Sequence, residues 1–284
     1  MKICIAGGSG FIGRNLSDYL IKSGHHIVLI SHQKIGHNDT VREISGSDVL
    51  INLMGESIAG RWTKEKRKRI LESRIDTTRI LLEAVRVHGT GIRLIVGVSA
   101  VGIFDKCHVH TEDSQFYSGG FLQKVVLQWE AVYAEAGISA ARLCILRLGV
   151  VLGKNGGMFQ KISRFVPNFI GIVIRGRGHF SFIHMDDLVR CVDFIIMNEN
   201  VSGILNVSAP ESISIKDFYT LWADLKGAVI RVYLFDWMLR LVLGTSSVLL
   251  TEGQHVVPEK LIKTGFQFVY PGAANALNKL LLKK

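Results

Sequence analysis

The 284-residue sequence has no uninterrupted apolar stretch long enough to span a membrane. Its most membrane-like segment, residues 229–250, is broken by Arg231, Asp236, Arg240 and Gly244. A charge at the bilayer centre costs roughly 2.5–3.5 kcal/mol, so we expect this segment to pack within a folded domain. The apolar run after the first methionine is too short for a signal peptide. The sequence therefore predicts a cytoplasmic protein with no membrane partner.

Cysteine is scarce, with four residues in the whole chain. Cys4, Cys107, Cys144 and Cys191 are far apart and show none of the paired spacings of a metal site. Cys4 and Cys144 lie in apolar runs, where a free thiol behaves as a small hydrophobic side chain. We predict reduced cysteines, as in a cytosolic protein, and no bound metal.

Acidic residues are outnumbered, with 24 Asp and Glu against 34 Lys and Arg and a net charge of +10. Much of the excess lies in residues 61–79, which suggests either a nucleic-acid footprint or a solvated helix face with Ile70, Leu71 and Ile75 inside. We favour the helix, because no known nucleic-acid-binding motif accompanies the charges. We therefore expect no specific nucleic-acid partner. The positive field favours a small anionic substrate.

Short apolar runs alternate with helical patterns in the first half of the chain. Strands separated by helices indicate an α/β fold with a Rossmann-like, doubly wound parallel sheet. We assign residues 1–152 to a dinucleotide-binding domain. Residues 153–284 are assigned to a smaller substrate-side and C-terminal lobe, whose later segments can return to the sheet. The predicted strands are 2–6, 26–31, 48–54, 92–98 and 141–148, and the predicted helices are 11–23, 63–88 and 121–136.

A glycine-rich turn follows the first strand and opens the first helix. In this turn Gly7 permits a tight bend, Gly10 lets the backbone approach a pyrophosphate, and Gly13 lets the helix pack closely on the sheet. Phe11 and Ile12 begin the helix, whose N-terminal N–H groups and partial positive charge attract phosphates. A glycine pattern alone is weak, but the strand–turn–helix context indicates dinucleotide binding.

The end of the second strand bears on which dinucleotide binds. NAD sites usually carry Asp or Glu there to bind the ribose 2′-hydroxyl. This chain instead has Ser31, His32 and Lys34, which are suited to a 2′-phosphate. We predict NADP rather than NAD as cofactor. The alternative is a carboxylate that arrives from another loop.

Several further motifs together resemble one family. The resemblance is to the atypical short-chain dehydrogenases of the NAD-dependent epimerase/dehydratase superfamily, described as nucleoside-diphosphate-sugar epimerases. It implies cofactor contacts from Leu53, Met54 and Gly55 at the end of the third strand, and from Arg147, Leu148 and Gly149 at the end of the fifth. A structural pairing of Arg147 with Glu130 is the alternative. The matching segments are 51–63, 68–79, 99–102, 111–113, 129–130, 147–153, 183–188, 252–261, 265–266 and 270–271.

The parent superfamily works with a Ser or Thr and a Tyr-x-x-x-Lys pair. Ser99 falls where the Ser is expected, with capping of a strand end as the alternative. The Tyr and Lys positions hold Phe121 and Val125, while Lys124 is one residue early and thus about 100° off the required helix face. Because Phe cannot transfer a proton, the usual acid–base route is missing, although the atypical branch shares this departure.

Other side chains are candidates for the missing proton transfer. Glu56 follows the third strand, at the sheet edge where open α/β folds bind ligands. Its alternative role is an ion pair with Arg61 or Arg74. For His184, in a loop that resembles the substrate side, a structural hydrogen-bond corner is favoured. The leading hypothesis is an NADP-dependent oxidoreductase or epimerase, and the alternative is a catalytically silent dinucleotide-binding sensor or scaffold. The sequence predicts no oligomeric state.

Overall fold

A computed structural model describes residues 1–31, 35, 38–89, 91–138 and 141–282 of the chain. Strands and helices alternate along most of the chain, as the sequence predicts for its first half. The strands are β1 (Lys2–Ala6), β2 (His26–Ile30), β3 (Val49–Asn52), β4 (Leu94–Ala100), β5 (Val109–His110), β6 (Arg142–Leu148), β7 (Val150–Leu152), β8 (Ile170–Arg175), β9 (Phe182–His184), β10 (Gly203–Val207), β11 (Ile230–Phe235) and β12 (His255–Val256). The helices are α1 (Phe11–Lys22), α2 (Asn38–Ile44), α3 (Lys64–His88), α4 (Phe121–Glu135), α5 (Gly157–Phe165), α6 (Met185–Met197), α7 (Ile215–Leu225), α8 (Asp236–Leu243), α9 (Val248–Thr251), α10 (Glu259–Lys263) and α11 (Ala273–Leu281).

Six parallel strands form the central sheet, in the order β10-β6-β4-β3-β1-β2. The chain passes from β1 outward to β2 and then returns to the other side of β1 with β3. The strand order therefore reverses between β1 and β3, and open α/β sheets bind ligands beyond the carboxyl ends of the strands at such a point. The predicted α/β fold with a doubly wound parallel sheet is confirmed.

Two helical layers cover the sheet because its strands are apolar on both faces. Successive side chains of a strand leave opposite faces. On β1, Ile3 and Ile5 pack into the cluster that includes α1 and α6. Cys4 and Ala6 pack on the other side, against residues of α3 and α4. β1 is therefore covered by a helical layer on each of its two faces.

Most predicted boundaries agree with the structure to within two residues. The strand predicted over 48–54 ends at Asn52, whose side-chain oxygen accepts a hydrogen bond from the Met54 amide at 3.1 Å and turns the chain out of the sheet. Helix α3 begins at Lys64 because Thr63 caps it, accepting from the Lys66 amide at 3.2 Å. Helix α2 has no strong apolar period and was not predicted.

A second apolar core supports the smaller lobe. It is built on the two-stranded sheet of β8 and β11, with α5, α7 and α11 around it, and centres on aromatic side chains. Segments after residue 152 serve both lobes, since β10 pairs with β6 and α6 packs on α1. A chain division at residue 152 stays a prediction. The core aromatics are Phe159, Phe180, Phe182, Phe218, Tyr219 and Trp222.

The structure also shows the surroundings of the cysteines and the fold of the apolar segment 229–250. All four cysteines are free, and burial raises the pKa of the Cys4 thiol to about 12 and that of Cys144 to about 11. Residues 229–250 fold into β11 and three short helical segments. None of the helices in the described ranges has the length and apolar character needed to cross a bilayer.

Candidate cofactor and active site

Two loops meet where the strand order reverses. The Gly7 amide donates to the Ile30 carbonyl at 3.1 Å, and the Leu53 amide donates to the Ala6 carbonyl at 2.9 Å. Gly7 has φ +84°, a conformation that favours glycine. A Cβ on Gly7 would lie 3.0 Å from the Leu53 carbonyl carbon. The glycine turn and the segment Leu53–Gly55 therefore lie directly against each other, at the edge of the sheet where open α/β folds have their ligand crevice.

The N-terminus of α1 opens into this crevice. Gly10 is its N-cap, with φ −72° and ψ 176°, and no side chain caps the helix or places a carboxylate in its first turn. A Cβ on Gly10 would meet only the Gly7 oxygen, at 3.3 Å, and would otherwise face open space. A Cβ on Gly13 would lie 2.5 Å from the Gly7 oxygen. This arrangement fits a pyrophosphate, because backbone N–H groups and the helix dipole face a space that only glycine leaves free.

Phe11, the first helical residue, also links the two lobes. A Cβ on Gly156 would lie 2.2 Å from the Phe11 ring, and one on Gly153 would lie 2.8 Å from it. Ile12 is half-buried against the core beneath the turn. The loop after β7 therefore needs its glycines to admit the Phe11 ring, a contact that the sequence pattern did not reveal.

Among the residues predicted to select the cofactor, Ser31 is half-buried at the end of β2. His32 and Lys34 lie outside the described residues. The segment from Val28 to Ile35 contains no Asp or Glu.

Ser99, Glu130 and Arg147 form a buried cluster beneath the sheet edge. The Ser99 hydroxyl donates to Glu130 Oε1 at 2.7 Å. Arg147 donates to the same carboxylate from Nε at 2.9 Å and from Nη2 at 2.7 Å. Its guanidinium also lies 5.2 Å from the centre of the Phe104 ring. Arg147 thus makes the structural pairing with Glu130 that the sequence left open, and it orients Ser99 through the shared carboxylate.

Leu148 is the last residue of β6, and Gly149 directly follows it. Leu148 is buried in the main core. The Gly149 amide donates to the Val207 carbonyl at 3.0 Å, and a Cβ on Gly149 would lie 2.9 Å from the Ser181 oxygen. The glycine is needed here because three strand ends converge.

Glu56 follows the segment Leu53–Gly55 and is hydrogen-bonded to residues of helix α3. Its carboxylate forms an ion pair and hydrogen bond with Lys66. Its amide donates to Ser73 Oγ at 2.9 Å, and its carbonyl accepts from Arg74 at 3.1 Å. The hydrogen bond from Lys66 lowers the pKa of Glu56, so the side chain is a carboxylate at neutral pH and accepts rather than donates a proton.

Lys66 was missed because it lies ten residues further along, across a loop and a helix start, where no local spacing signals a contact. Arg74 remains charged at neutral pH, although burial lowers its pKa to about 10. Arg74 therefore binds the backbone of Glu56 while Lys66 binds its side chain.

Apolar residues fill the positions of the expected Tyr–Lys pair. Val125 is buried, and the Phe121 ring meets the Trp62 ring at 5.1 Å between centres. Lys124 is exposed and lines a groove of about 740 Å³ between α3 and α4, together with Arg67. Lys124 therefore lines an open groove, which it shares with Phe121, whereas Val125 at the expected Lys position is buried in the apolar cluster.

His184 and the buried carboxylate of Glu112 have structural roles. His184 caps α6, accepting at Nδ1 from the Asp186 amide at 3.1 Å. Glu112 accepts from the Asn206 amide at 3.1 Å and the Lys260 amide at 3.2 Å, which ties β10 to the C-terminal segment. The basic stretch lies on α3, whose apolar side packs into the core as predicted.

Known proteins are similar to this chain in sequence and in fold over nearly its whole length. The profile of the NAD dependent epimerase/dehydratase family matches residues 3–208, and that of a domain of unknown function (DUF1731) matches residues 234–280. Epimerase family protein YfhF of Bacillus subtilis (strain 168) is 31% identical over 297 residues, covering 99% of this chain and 98% of its own. The crystal structure of human epimerase family protein SDR39U1 (isoform 2) with NADPH has a TM-score of 0.88 and 27% identity, covering 99% of each chain. A UDP-glucuronic acid 4-epimerase from Bacillus cereus in complex with NAD, at 18% identity, shares the fold with a TM-score of 0.77, covering 98% of this chain and 96% of its own.

Proposed function

Because this chain belongs to the NAD-dependent epimerase/dehydratase family, we propose that it is a cytoplasmic, NADP-dependent oxidoreductase or epimerase of the short-chain dehydrogenase/reductase type. The observation that carries this proposal is the glycine turn at the carboxyl edge of the sheet, where the N-terminus of α1 has no side-chain cap and the Cβ position of Gly10 faces open space. Its substrate is a small anionic molecule of the nucleotide-sugar class. The free, mostly buried cysteines support a reducing compartment.

In this proposal, different residues of the site bind different parts of the dinucleotide. Gly7, Gly10 and the first turn of α1, including Phe11 and Ile12, hold the pyrophosphate. Ser31 and His32 receive the 2′-phosphate. Residues 53–55 and 147–149 line the remainder of the site. A bound nicotinamide supplies hydride-transfer chemistry, and the surrounding loops orient it.

We expect NADPH to bind at least about tenfold more tightly than NADH, since one charge-assisted hydrogen bond to the 2′-phosphate contributes roughly 1.5–3 kcal/mol. Isothermal titration with both cofactors measures the ratio. Ser31→Asp is the matched test, because a carboxylate there repels the phosphate and accepts from a ribose hydroxyl; it should reverse the preference. Equal affinities for the wild type would refute the NADP assignment.

For the chemical step we propose Ser99 and Glu56. Ser99 would polarise the substrate oxygen by turning its single hydroxyl proton from Glu130 to that oxygen, and Glu56, kept ionised by Lys66, accepts a proton. Ser99→Ala should lower kcat by roughly 10²–10³, the cost typical of losing one oxyanion donor. Glu56→Gln should lower it by roughly 10²–10⁴, the usual contribution of a general base. Tyr117→Phe and Lys124→Ala should leave it unchanged, because both side chains are exposed and Lys124 points into the α3–α4 groove.

The measurement is NADPH oxidation over a panel of carbonyl compounds, together with separation of the products formed from nucleotide sugars, because an epimerase returns its hydride and oxidises no NADPH overall. NADPH affinity is determined for each variant. A large loss of turnover with Tyr117→Phe would show that a displaced tyrosine carries the proton transfer. Unchanged turnover with Ser99→Ala would restrict Ser99 to its bond with Glu130.

The second candidate function is a catalytically silent sensor or scaffold that binds NADPH. It is favoured by one observation, the apolar cluster of Phe121, Val125 and Trp62 at the positions of the usual acid–base pair. Tight NADPH binding without turnover on any substrate of the panel would select this function over the enzyme.

A further inference from the structure

Arg74 contacts the rest of the chain through only part of its guanidinium group. Its Nη1 atom donates to the Glu56 carbonyl at 3.1 Å and to the Ile70 carbonyl at 2.9 Å. The group lies against Gly55, where a Cβ would be 3.0 Å from Cζ, and Cζ is 5.2 Å from the centre of the Trp129 ring. These contacts fix the guanidinium beside the segment that follows β3.

The remaining edge of the guanidinium, formed by Nε and Nη2, has no hydrogen-bond acceptor within the described part of the chain. This edge binds a carboxylate in two other arginines. Arg147 holds Glu130 at 2.9 Å from Nε and 2.7 Å from Nη2, and Arg86 holds Glu83 at 2.9 and 2.6 Å. Two parallel N–H groups at this spacing match two oxygens of a carboxylate or phosphate. The open edge of Arg74 therefore has the geometry of a bidentate oxyanion contact.

The positive charge of Arg74 also lacks a carboxylate partner. Glu56 offers Arg74 only its backbone carbonyl, because its carboxylate is paired with Lys66. No ion pair joins Arg74 to an acidic residue that the structure describes. Arg74 is half-buried, and charges withdrawn from water in proteins are normally paired. The surroundings of Arg74 therefore favour an anion supplied by a ligand.

The open edge lies at the candidate site. Its Nη2 atom is 3.2 Å from the position that a Cβ on Gly55 would take, and Gly55 is exposed just after β3. Trp129, beside which Arg74 lies, directly precedes Glu130, the partner of Ser99. We propose that Arg74 binds a carboxylate or phosphate group of a small-molecule ligand through Nε and Nη2. The identity of that ligand, as substrate or cofactor, rests on the proposed function.

The test is the Nε–H resonance of Arg74 in the isotope-labelled, cofactor-free full chain, assigned by its disappearance in Arg74→Lys. Inorganic phosphate and acetate should each shift this resonance in a saturable way, because the N–H gains a charged acceptor. Two other arginines are matched references. The edge of Arg147 already holds a carboxylate and should not respond. Arg79 lies on the same helix with its side chain 66% exposed, and its resonance measures the general effect of added ions. An Arg74 resonance that responds no more than that of Arg79 would overturn the proposal.

Further titrations identify the ligand that carries the oxyanion. A shift with NADPH alone assigns the oxyanion to the cofactor. A shift that appears only when the NADPH-saturated protein receives UDP-glucuronic acid, which has a carboxylate and two phosphates, assigns it to the substrate. That ligand should bind Arg74→Lys at least about tenfold more weakly, because lysine keeps the charge but loses the paired donors. Arg86→Lys, the same substitution at an exposed position of α3, should leave the affinity unchanged.

Turnover is measured separately, and thermal unfolding checks that each variant is folded. A wild-type protein that binds the oxyanion at Arg74 but turns over no substrate would support this site and refute the enzyme. A wild-type protein with turnover, in which Arg74→Lys keeps full affinity for both ligands, would refute this site and leave the enzyme standing.

Discussion

Gly10→Val is expected to lower dinucleotide affinity by roughly 100-fold or more, since it removes at least two charge-assisted hydrogen bonds worth about 1.5–3 kcal/mol each. The fold should survive. Gly10 has extended dihedral angles that valine adopts without strain, and its Cβ would have only one neighbour, the Gly7 oxygen at 3.3 Å. The added isopropyl group would fill the space through which a pyrophosphate reaches the N-terminus of α1.

The matched control is Gly120→Val. Gly120 is likewise an extended helix N-cap, with φ −96° and ψ −175°, and its nearest neighbour would be Ser118 Oγ at 3.9 Å. It lies at α4 rather than at the crevice, so NADPH affinity should be unchanged. Titration calorimetry measures binding and circular dichroism checks folding. A folded Gly10→Val protein with wild-type affinity would show that the pyrophosphate does not bind at this turn.

Gly13 is required for a different physical reason from Gly10, although both belong to the same glycine pattern. A Cβ there would lie 2.5 Å from the Gly7 oxygen and 2.6 Å from Gly8 Cα, both backbone atoms that cannot move aside. Substitution of Gly13 therefore disturbs the packing of the helix on its turn. Substitution of Gly10 disturbs only the ligand space. The sequence pattern predicts these two different roles, and the structure supplies the distances that distinguish the two positions.

The sequence predicts the parts of the fold that depend on local patterns. The strands β1, β2, β4 and β6 and the helices α1, α3 and α4 follow from apolar periodicity, because buried parallel strands are almost wholly apolar. Pairings over long sequence distances leave no such signal. β12 pairs with β5 across nearly 150 residues, and β10 joins the main sheet from beyond the predicted boundary. Those contacts depend on packing between distant segments.

The same limit applies to the candidate site. The sequence places Glu56 after the third strand and Ser99 after the fourth, whereas in the structure Ser99 is the penultimate residue of β4. It does not identify Lys66 as the partner of Glu56, nor does it select Glu130 over a ligand as the partner of Arg147. Which polar groups meet depends on how α3 and α4 pack on the sheet, and two helices at a sheet edge offer several cations for each carboxylate.

Arg147→Met is expected to cost about 3–5 kcal/mol of unfolding free energy, because it leaves the Glu130 carboxylate buried without its partner. Both side chains are almost fully buried, and two hydrogen bonds join them at 2.9 and 2.7 Å. Ser99 donates a third hydrogen bond to the same carboxylate, at 2.7 Å. A single bond from a neutral hydroxyl is too weak to replace the lost positive charge of Arg147. Urea denaturation of the two proteins measures the difference.

The surface pair of Glu83 and Arg86 is the matched control. It has the same two-pronged geometry, with bonds of 2.9 and 2.6 Å, but both side chains are exposed on α3. Arg86→Met should therefore cost far less than Arg147→Met, since solvent stabilises the carboxylate that remains. The double variant Glu130→Leu with Arg147→Met should recover much of the loss, because it removes both buried charges together. Equal costs at the two sites would mean that Glu130 is reached by water, and that the cluster beneath Ser99 is open rather than buried.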